Sequence, residues 1–417
     1  MTVKQLYASV VPGLVTHLSV LISRSGPIPL HVACYHRPVT KPRLSAAGLL
    51  FIGIALLASA CVSTKNPEGW ASPSLDGSTA YFFSAPDKLE AVNLDGGPPA
   101  PILWQFPDTS KAAQKDVKFK NVYSEPVLDG ETLYFASYDG RAFAVSAKDG
   151  ELRWQLKDSI SGSVVGGPTL AGSLLAFGTT EGRLYVVDKA TGAPAPNWPK
   201  GGMDLGDPIW AAPVTQGNTL FVATMGGKLF ALDLAAGSPK WAEPYNAGGA
   251  IPDLALLSDG THLFVPTLKN SVSFVDVITG KSPLGRLTTD DWVWMRPVSK
   301  DGVAYFADFS GNVYALDITS GTEIWKTSPS DSKVKSSAVI VDDVLVVATR
   351  KPSILFINAK DGALIHSVDI PDKSAGTVRA PLLVYNGKVL IETTERKLFL
   401  ADPKNRSVTP LLVAEKP

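Results

Sequence analysis

The sequence predicts an all-β fold, an eight-bladed β-propeller of four-stranded antiparallel blades preceded by a signal or anchor segment. Three observations support this prediction. One sequence unit recurs about every 43 residues through most of the chain. Within it, short runs of β-branched and aromatic residues alternate with Gly-containing turns, as in antiparallel hairpins. No stretch combines helical periodicity with helix caps over ten residues or so.

The repeat becomes visible when the chain is aligned on the first turn of each unit. The segment PVLDGETLYFA at Gly130 recurs as PTLAGSLLAFG at Gly172 and PVTQGNTLFVA at Gly217. The first-turn position is assigned to Gly77, Gly130, Gly172, Gly217, Gly260, Gly302, Asp343 and Gly387. Eight copies at this spacing occupy residues 70–417, so we expect one propeller and no second domain.

Each unit contains two further turns, as in the segment GGKLFALDLAAGSPKW of residues 226–241. Strands joined by short turns form a four-stranded meander. Eight meanders that close into a ring leave only short, protected sheet edges, which is the arrangement of a β-propeller.

The first interval is about ten residues longer than the others. Its excess lies in residues 107–121, a charged segment that is expected to form an exposed loop between the first two blades. Residues 61–69 are mostly polar and contain Pro and Gly, so they are expected to form a tether to the propeller.

Residues 1–60 form a leader that contains basic residues but no Asp or Glu. Residues 44–60 are uncharged and rich in apolar side chains, as in the hydrophobic part of a secretory signal. Because this leader is unusually long, we expect that translation begins later than Met1, near Val39. The segment LASAC at residues 57–61 has the form of a bacterial lipobox, which predicts lipid attachment at Cys61.

The alternative for the leader is an uncleaved membrane helix of about 17 residues, near the lower limit for spanning a bilayer. Arg37, Lys41 and Arg43 would then hold its N-terminus in the cytoplasm. Both interpretations place the propeller outside the cytoplasm, in the cell envelope, and the first makes it a membrane-anchored lipoprotein.

Charge and cysteine content exclude several functions. The whole chain has 39 basic and 39 acidic residues, but removing the five basic residues of the leader leaves an acidic body, which argues against nucleic-acid binding. With Cys61 lipidated, the exported body has no cysteine, so disulfides and thiolate catalysis are not expected. Only His262 and His366 follow the leader, and no metal site is predicted.

The third turn of each unit carries the most distinctive pattern, A-L-D-x-x-T-G-x-x-x-W, of which residues 315–325 are the best match. This pattern resembles the tryptophan-docking repeat of the PQQ-like, quinoprotein-type propellers. The resemblance implies an eight-bladed ring in which each Trp packs on the neighbouring blade. The docking residues expected here are Trp104, Trp154, Trp198, Trp241 and Trp325.

The repeat departs from this pattern towards the C-terminus. The fifth unit has no Trp at the docking position, the seventh has His366 there, and the eighth has Pro403 in place of the turn Gly. His366 is expected to pack against the next blade as Trp does in the other units.

The family resemblance covers enzymes and non-enzymes, and the fold does not decide between them. Resemblance to quinoprotein alcohol dehydrogenases would imply PQQ, calcium and an adjacent cysteine pair, which the body lacks. In size, blade number and lipidation, the chain is more similar to lipoprotein members that act as scaffolds in outer-membrane protein assembly. We therefore predict a monomeric, non-enzymatic scaffold without cofactor that binds protein partners; a PQQ-dependent dehydrogenase and a solute- or polysaccharide-binding propeller are the alternatives.

The residues before the innermost strand of each blade give the strongest indication of a binding site. Three positions before the first-turn Pro, an aromatic residue recurs in four units, namely Trp70, Tyr123, Trp210 and Trp294. Charged residues stand nearby at Glu125, Arg296, Lys335 and Arg379. One interpretation is inter-blade packing with charges solvated in the channel. The other is a partly cationic channel mouth that binds an extended peptide or anionic group through Trp210, Trp294, Arg296, Glu125 and Arg379.

The lipoprotein interpretation predicts the behaviour of a Cys61→Ala variant. Without the acylated sulfur, the propeller should lose its firm membrane association and appear in the soluble envelope fraction. Cell fractionation followed by immunoblotting measures this. A variant that stays as firmly bound as the wild type would instead establish the uncleaved helix.

Overall fold

A computed structural model describes residues 69–157 and 159–413. The leader of residues 1–60, the lipidation site Cys61 and all of the tether before Gly69 lie outside the described residues. Within the described part of the chain, no helix has the length and apolar character needed to cross a bilayer.

Eight antiparallel sheets of four strands follow one another along the chain, and each sheet is built from four consecutive strands. We number them blades 1 to 8. The strands of blades 1 to 4 are β1 (Ser74–Asp76), β2 (Thr79–Ala85), β3 (Lys88–Asn93), β4 (Ile102–Phe106), β5 (Val127–Asp129), β6 (Thr132–Ser137), β7 (Arg141–Ser146), β8 (Leu152–Leu156), β9 (Thr169–Ala171), β10 (Leu174–Gly178), β11 (Arg183–Asp188), β12 (Met203–Asp204), β13 (Val214–Gln216), β14 (Thr219–Ala223), β15 (Lys228–Asp233) and β16 (Tyr245–Asn246).

Blades 5 to 8 repeat the same meander, and one 3₁₀ helix, Ala112–Gln114, lies between blades 1 and 2. Their strands are β17 (Ala255–Leu256), β18 (His262–Thr267), β19 (Ser271–Asp276), β20 (Leu287–Thr288), β21 (Val298–Lys300), β22 (Val303–Ala307), β23 (Val313–Asp317), β24 (Glu323–Thr327), β25 (Val339–Val341), β26 (Val344–Ala348), β27 (Ser353–Asn358), β28 (Leu364–Asp369), β29 (Leu383–Tyr385), β30 (Lys388–Glu392), β31 (Leu398–Asp402) and β32 (Ser407–Leu411). The predicted all-β, eight-bladed propeller is confirmed.

The first strand of each blade is the innermost one, because first strands of neighbouring blades contact one another around the central channel. The second and third strands are buried along most of their length. Both of their faces are covered by adjacent blades, which explains why their sequences read as nearly continuous apolar runs rather than strict alternation.

The ring closes by contact between blades 8 and 1, without exchange of a strand. Leu390 and Leu398 of blade 8 pack with Ala80 and Phe82 of blade 1 in one buried cluster. Beyond β32, the Ala100 amide donates a hydrogen bond of 2.7 Å to the carbonyl oxygen of Leu412. We call this contact between the two blades the seam.

The first turns of three blades lie one residue earlier than predicted. Asp301, Asp342 and Asn386 directly follow their first strands and have φ values of 50°, 54° and 48°, the position that Gly77 occupies in blade 1 with φ 55°. Asp and Asn tolerate this left-handed conformation better than other non-glycine residues. In units six to eight, the sequence alignment therefore assigned the turn position one residue too late, to Gly302, Asp343 and Gly387.

Residues 107–121 expose most of their charged side chains, as predicted, but the segment is more than a surface loop because three of its other side chains are buried. Phe119 is buried and packs edge-on or stacked against Phe83, Phe106 and Phe135. Gln114 is also buried, and its side chain donates a hydrogen bond of 2.8 Å to the Gly150 carbonyl oxygen. The lysines on either side of Phe119 made the sequence appear solvent-exposed, although the buried side chains of this segment pack between blades 1 and 2.

The five docking tryptophans make one repeated contact. Each indole N–H donates a hydrogen bond to a carbonyl oxygen in the next blade, over distances of 2.9 to 3.2 Å. The donors are Trp104, Trp154, Trp198, Trp241 and Trp325, and the acceptors are Ala147, Lys189, Leu234, Val277 and Ala359.

The third-turn glycines lie directly against these rings. A Cβ atom on Gly362 would lie 2.6 Å from Trp325, and one on Gly280 would lie 2.6 Å from Trp241. In blade 5, which lacks the Trp, Leu284 and Leu287 contact Gly321 of the next blade instead.

Two expectations for the last blades are wrong. His366 pairs with Phe356 in the position of the docking residue, yet it is exposed, because its short polar ring remains in water instead of covering the next blade. In the eighth unit the residue at the Gly position is Arg406, with φ 52°, and not Pro403.

The contact between Gly362 and Trp325 predicts a difference between two Gly→Ala variants. Gly172 has φ 64° and no neighbour within 4 Å of an added Cβ, so Gly172→Ala should cost only the left-handed strain of about 1 to 2 kcal/mol. Gly362→Ala should lower the free energy of unfolding by about 1 to 3 kcal/mol more, because the methyl group displaces the indole. Urea unfolding monitored by tryptophan fluorescence compares them, and equal losses would contradict tight docking.

Candidate partner-binding surface

The residues that enter each innermost strand form the rim of the central channel. Four residues before the first strand, six blades carry an aromatic or cationic side chain, whereas blades 3 and 5 carry Val165 and Ile251. We call these six the mouth residues: Trp70, Tyr123, Trp210, Trp294, Lys335 and Arg379. All six are half-buried.

A cavity of about 380 Å³ opens at this rim. Of the five residues predicted to bind a partner, it brings four together in its lining: Glu125, Trp210, Trp294 and Arg296. Arg379 is absent from that lining and instead lies with its guanidinium carbon 5.9 Å from the ring centroid of Trp70. The structure therefore places Arg379 at the level of the aromatic residues and not beside Glu125 and Arg296.

Aromatic contacts link the mouth residues into two groups. On one side, Trp294 lies 6.3 Å from Trp210 and 5.5 Å from Trp292, measured between ring centroids. Trp292 in turn stacks on Phe309 at 4.0 Å. Rings in such edge-on and stacked contacts hold one another in place and present a rigid apolar surface.

The second aromatic group lies at blades 1 and 2. Tyr123 packs edge-on against Trp70 at 4.4 Å and against Tyr138 at 5.3 Å. Tyr138 is one of the few large apolar side chains in the described ranges that are clearly exposed. The rim therefore carries aromatic surface on two sides of the channel.

Below this rim, Arg296 spans the channel between blades. Its guanidinium lies 3.2 Å from Glu125 Oε1 and 3.4 Å from Asp253 Oδ2, and its backbone N–H donates a hydrogen bond of 2.9 Å to the same Asp253 oxygen. Arg296 leads into blade 6 and Glu125 into blade 2, which are four blades apart in a ring of eight. This ion pair therefore joins opposite sides of the channel.

The electrostatics of this cluster follow from burial. Burial raises the pKa of Asp253, and the neighbouring Arg296 opposes that rise. Asp253 and Glu125 raise the pKa of Arg296. Two carboxylates face one guanidinium, so Arg296 adds no net positive charge to the mouth.

The alignment on Pro missed Asp253 and misplaced Arg379. In five blades the Pro lies directly before the first strand, but in blade 5 it is Pro252 and in blade 8 it is Pro381, which are displaced by two residues and by one. Counting from the strand instead places Asp253 at the same level as Glu125 and Arg296. The contact of Trp292 with Phe309, which lies in the hairpin after β22, had no signal in the sequence.

Metal-ligating side chains do not converge in the part of the chain that the structure describes. Across residues 69–157 and 159–413, no group of three His, Cys, Asp or Glu residues is arranged to hold a metal ion. The arrangement at the mouth is suited to contact with apolar and charged groups of a ligand.

The family follows from comparison with known sequences. A profile described as outer membrane protein assembly factor BamB matches residues 66–198, 196–294 and 282–409. The chain belongs to the BamB family. The resemblance to PQQ-like repeat propellers is thereby confirmed. The BamB protein of Moranella endobia (strain PCIT) is 22% identical over 272 residues, which cover 64% of this chain and 68% of that relative.

Solved structures show the same fold at low identity. The crystal structure of BamB from Moraxella catarrhalis has a TM-score of 0.63 and 16% identity, and the match covers 79% of this chain and 93% of that chain. A quinohemoprotein alcohol dehydrogenase from Pseudomonas putida HK5 has a TM-score of 0.58 and 13% identity, with coverage of 80% and 70%. A BamB protein and an enzyme therefore share this architecture.

The ion pair across the channel predicts the effect of Arg296→Met. The variant leaves the carboxylate of Asp253, which is 9% exposed, buried without its cation, so the free energy of unfolding at neutral pH should fall by about 3 kcal/mol. Adding Asp253→Asn to this variant removes the unpaired charge and should restore most of the lost free energy of unfolding.

The same experiment has a defined pH dependence. A carboxyl whose pKa is raised in the folded state destabilises the fold when charged, and this cost is relieved as the pH falls through the raised pKa. The deficit of Arg296→Met relative to wild type should therefore shrink on acidification in urea unfolding. A deficit independent of pH, or no recovery with Asp253→Asn, would contradict the assignment.

Proposed function

We propose that this protein is a non-catalytic scaffold in outer-membrane protein assembly, anchored to the membrane through a lipid on Cys61, which binds protein partners at the mouth. The observation that carries the proposal is the pair of aromatic groups on the rim of a propeller of the BamB family. The family's name indicates the process, which is outer-membrane protein assembly. The aromatic rim is the surface on which we expect the protein partners to bind.

The mouth has the composition of a protein-binding surface. Trp, Tyr and Arg contribute most of the binding energy at protein interfaces, especially where a concave surface excludes water. Trp210 and Trp294 are half-buried and held by ring contacts, so little conformational entropy is lost when a partner covers them.

The ion pair below the rim limits how far a ligand enters. Because Arg296 bridges Glu125 and Asp253 across the channel, a bound segment rests on this cluster instead of passing through the ring. Partner contacts then spread over the rim and the hairpins around it, without a cofactor and with the protein as a monomer.

Site-specific crosslinking tests the proposal. A photo-reactive amino acid at Met295, which lines the cavity, should yield adducts with an envelope protein in intact cells of the source bacterium. The same residue at Ile278, which is 81% exposed and lies at a third turn away from the cavity lining, is the matched control and should yield none. Mass spectrometry identifies the adducts, and equal labelling at both positions would contradict a partner-binding mouth.

The contribution of the indole is tested with Trp294→Ala. Loss of an interface anchor should weaken partner capture by about 2 kcal/mol or more, roughly thirty-fold, with folding intact. Trp241→Ala, which removes a docking residue, should instead lower the free energy of unfolding by about 3 to 5 kcal/mol. Alcohol oxidation by the purified protein with PQQ, calcium and an electron acceptor would overturn the non-catalytic assignment.

A further inference from the structure

Three cationic side chains lie together on one side of the mouth. Lys335 and Arg379 are the mouth residues of blades 7 and 8, and Arg350 lies in the hairpin between β26 and β27 of blade 7. The Arg350 amide donates a hydrogen bond of 2.7 Å to the Lys333 carbonyl oxygen, which holds that hairpin against the segment leading into the blade. We call Lys335, Arg350 and Arg379 the cationic cluster.

The three cations are close enough to repel one another. Burial, followed by repulsion from Arg379 and Arg350, lowers the pKa of Lys335 to about 8. Burial and Arg350 also lower the pKa of Arg379. Both shifts have the sign expected when positive charges are brought together in a half-buried site without a neighbouring carboxylate.

The cluster has no counter-charge within the ranges that the structure describes. None of the described ion pairs includes a member of it, whereas Arg296 nearby is paired with two carboxylates. The Nε atoms of Arg350 and Arg379 are buried and have no hydrogen-bond partner among the described residues. Unpaired buried donors and mutual repulsion cost stability, so this arrangement is one that a bound anion would relieve.

Aromatic rings flank the cluster on both sides. Lys335 Nζ lies 4.0 Å from the ring centroid of Trp294, and Arg379 lies over Trp70. A ligand that brings an anionic group to the cluster therefore also meets apolar surface next to it. Deeper in the channel, Glu125 and Asp253 place two carboxylates beside the single guanidinium of Arg296. This excess of negative charge disfavours binding of a second anionic group there.

We propose that the cationic cluster binds carboxylate groups of an acidic, extended peptide segment of a protein partner, whose neighbouring apolar side chains contact Trp70 and Trp294. Successive side chains of an extended peptide point to opposite sides, so acidic and apolar residues can reach the two kinds of surface. Arginine forks bind carboxylates through paired hydrogen bonds. This inference rests on the proposed function, because it specifies the chemistry of the partner.

The test uses the whole protein, solubilised in detergent and applied to an array of random 12-residue peptides. Peptides captured by the wild type should be enriched about twofold or more in Asp and Glu relative to the array. The double variant Lys335→Gln/Arg379→Gln should lose this enrichment. Lys360→Gln, at an exposed third turn, is the matched control for loss of a positive charge and should retain it.

A second readout separates binding from a structural role. Because the cations repel one another, the double variant should melt at the same temperature as the wild type or higher, whereas loss of structural charges would lower the melting temperature. Absence of acidic enrichment, its retention in the double variant, or a lower melting temperature with unchanged capture would each overturn the proposal.

Inorganic phosphate distinguishes a peptide site from a phosphate site. At equal ionic strength, phosphate and acetate should compete with the acidic peptides to a similar extent; if phosphate alone abolishes capture, the site binds phosphate groups and the peptide proposal is wrong. The proposed function fails separately, when crosslinking at Met295 yields no envelope partner. Crosslinking that succeeds while the array shows no acidic preference overturns only the inference about charge.

Discussion

The ring depends above all on one contact, which five of its eight blade junctions share: the docking of an indole on the third-turn Gly of the next blade. A blade has two apolar faces and cannot bury either alone, so its stability comes from its neighbours. The indole N–H donates a hydrogen bond to a carbonyl oxygen of the next blade, as from Trp325 to Ala359. This directional bond fixes the orientation of one blade on the next, which apolar packing alone does not. Together with apolar packing such as that of Leu284 and Leu287 in blade 5, it places the innermost strands at a similar height around the channel.

That common height explains the mouth. Because each segment leading into an innermost strand meets the ring in the same way, residues more than a hundred positions apart in sequence lie side by side. Glu125 and Arg296 are 171 residues apart and form an ion pair. Below the rim the opposite charges are paired, as the low dielectric requires, whereas at the rim Lys335 and Arg379 are half-buried over aromatic rings and have no carboxylate partner among the described residues.

The architecture could be predicted from the sequence because the same structural unit recurs eight times, so each copy supports the interpretation of the others. The Trp spacing located the docking positions, and the aromatic residue before the innermost strand located the rim. Single units carried less information. The turns at Asp301, Asp342 and Asn386 were assigned one residue late, since a neighbouring Gly or Asp is equally plausible in a two-residue turn.

Long-range pairing could not be found in this way. Asp253 was missed because Pro252 displaced the alignment, and Phe119 because lysines surround it. His366 shows the reverse error, in which a conserved place in the repeat did not imply conserved packing. In each case the outcome depended on which neighbour lay opposite the side chain, and that information exists only after the ring has closed.

The seam gives the molecule a mechanical asymmetry. Seven of its blade junctions are bridged by a continuous chain. Blades 8 and 1 are instead held by side-chain packing and by hydrogen bonds, which include those from Ala100 to Leu412, from Tyr385 to Asp95 and from Arg396 to Phe83. Trp70 and Arg379 lie on opposite sides of this junction. A molecule that binds both residues connects blade 8 to blade 1. Its binding free energy therefore stabilises the closed ring against opening, and occupancy of the mouth can be measured as an increase in the stability of the ring.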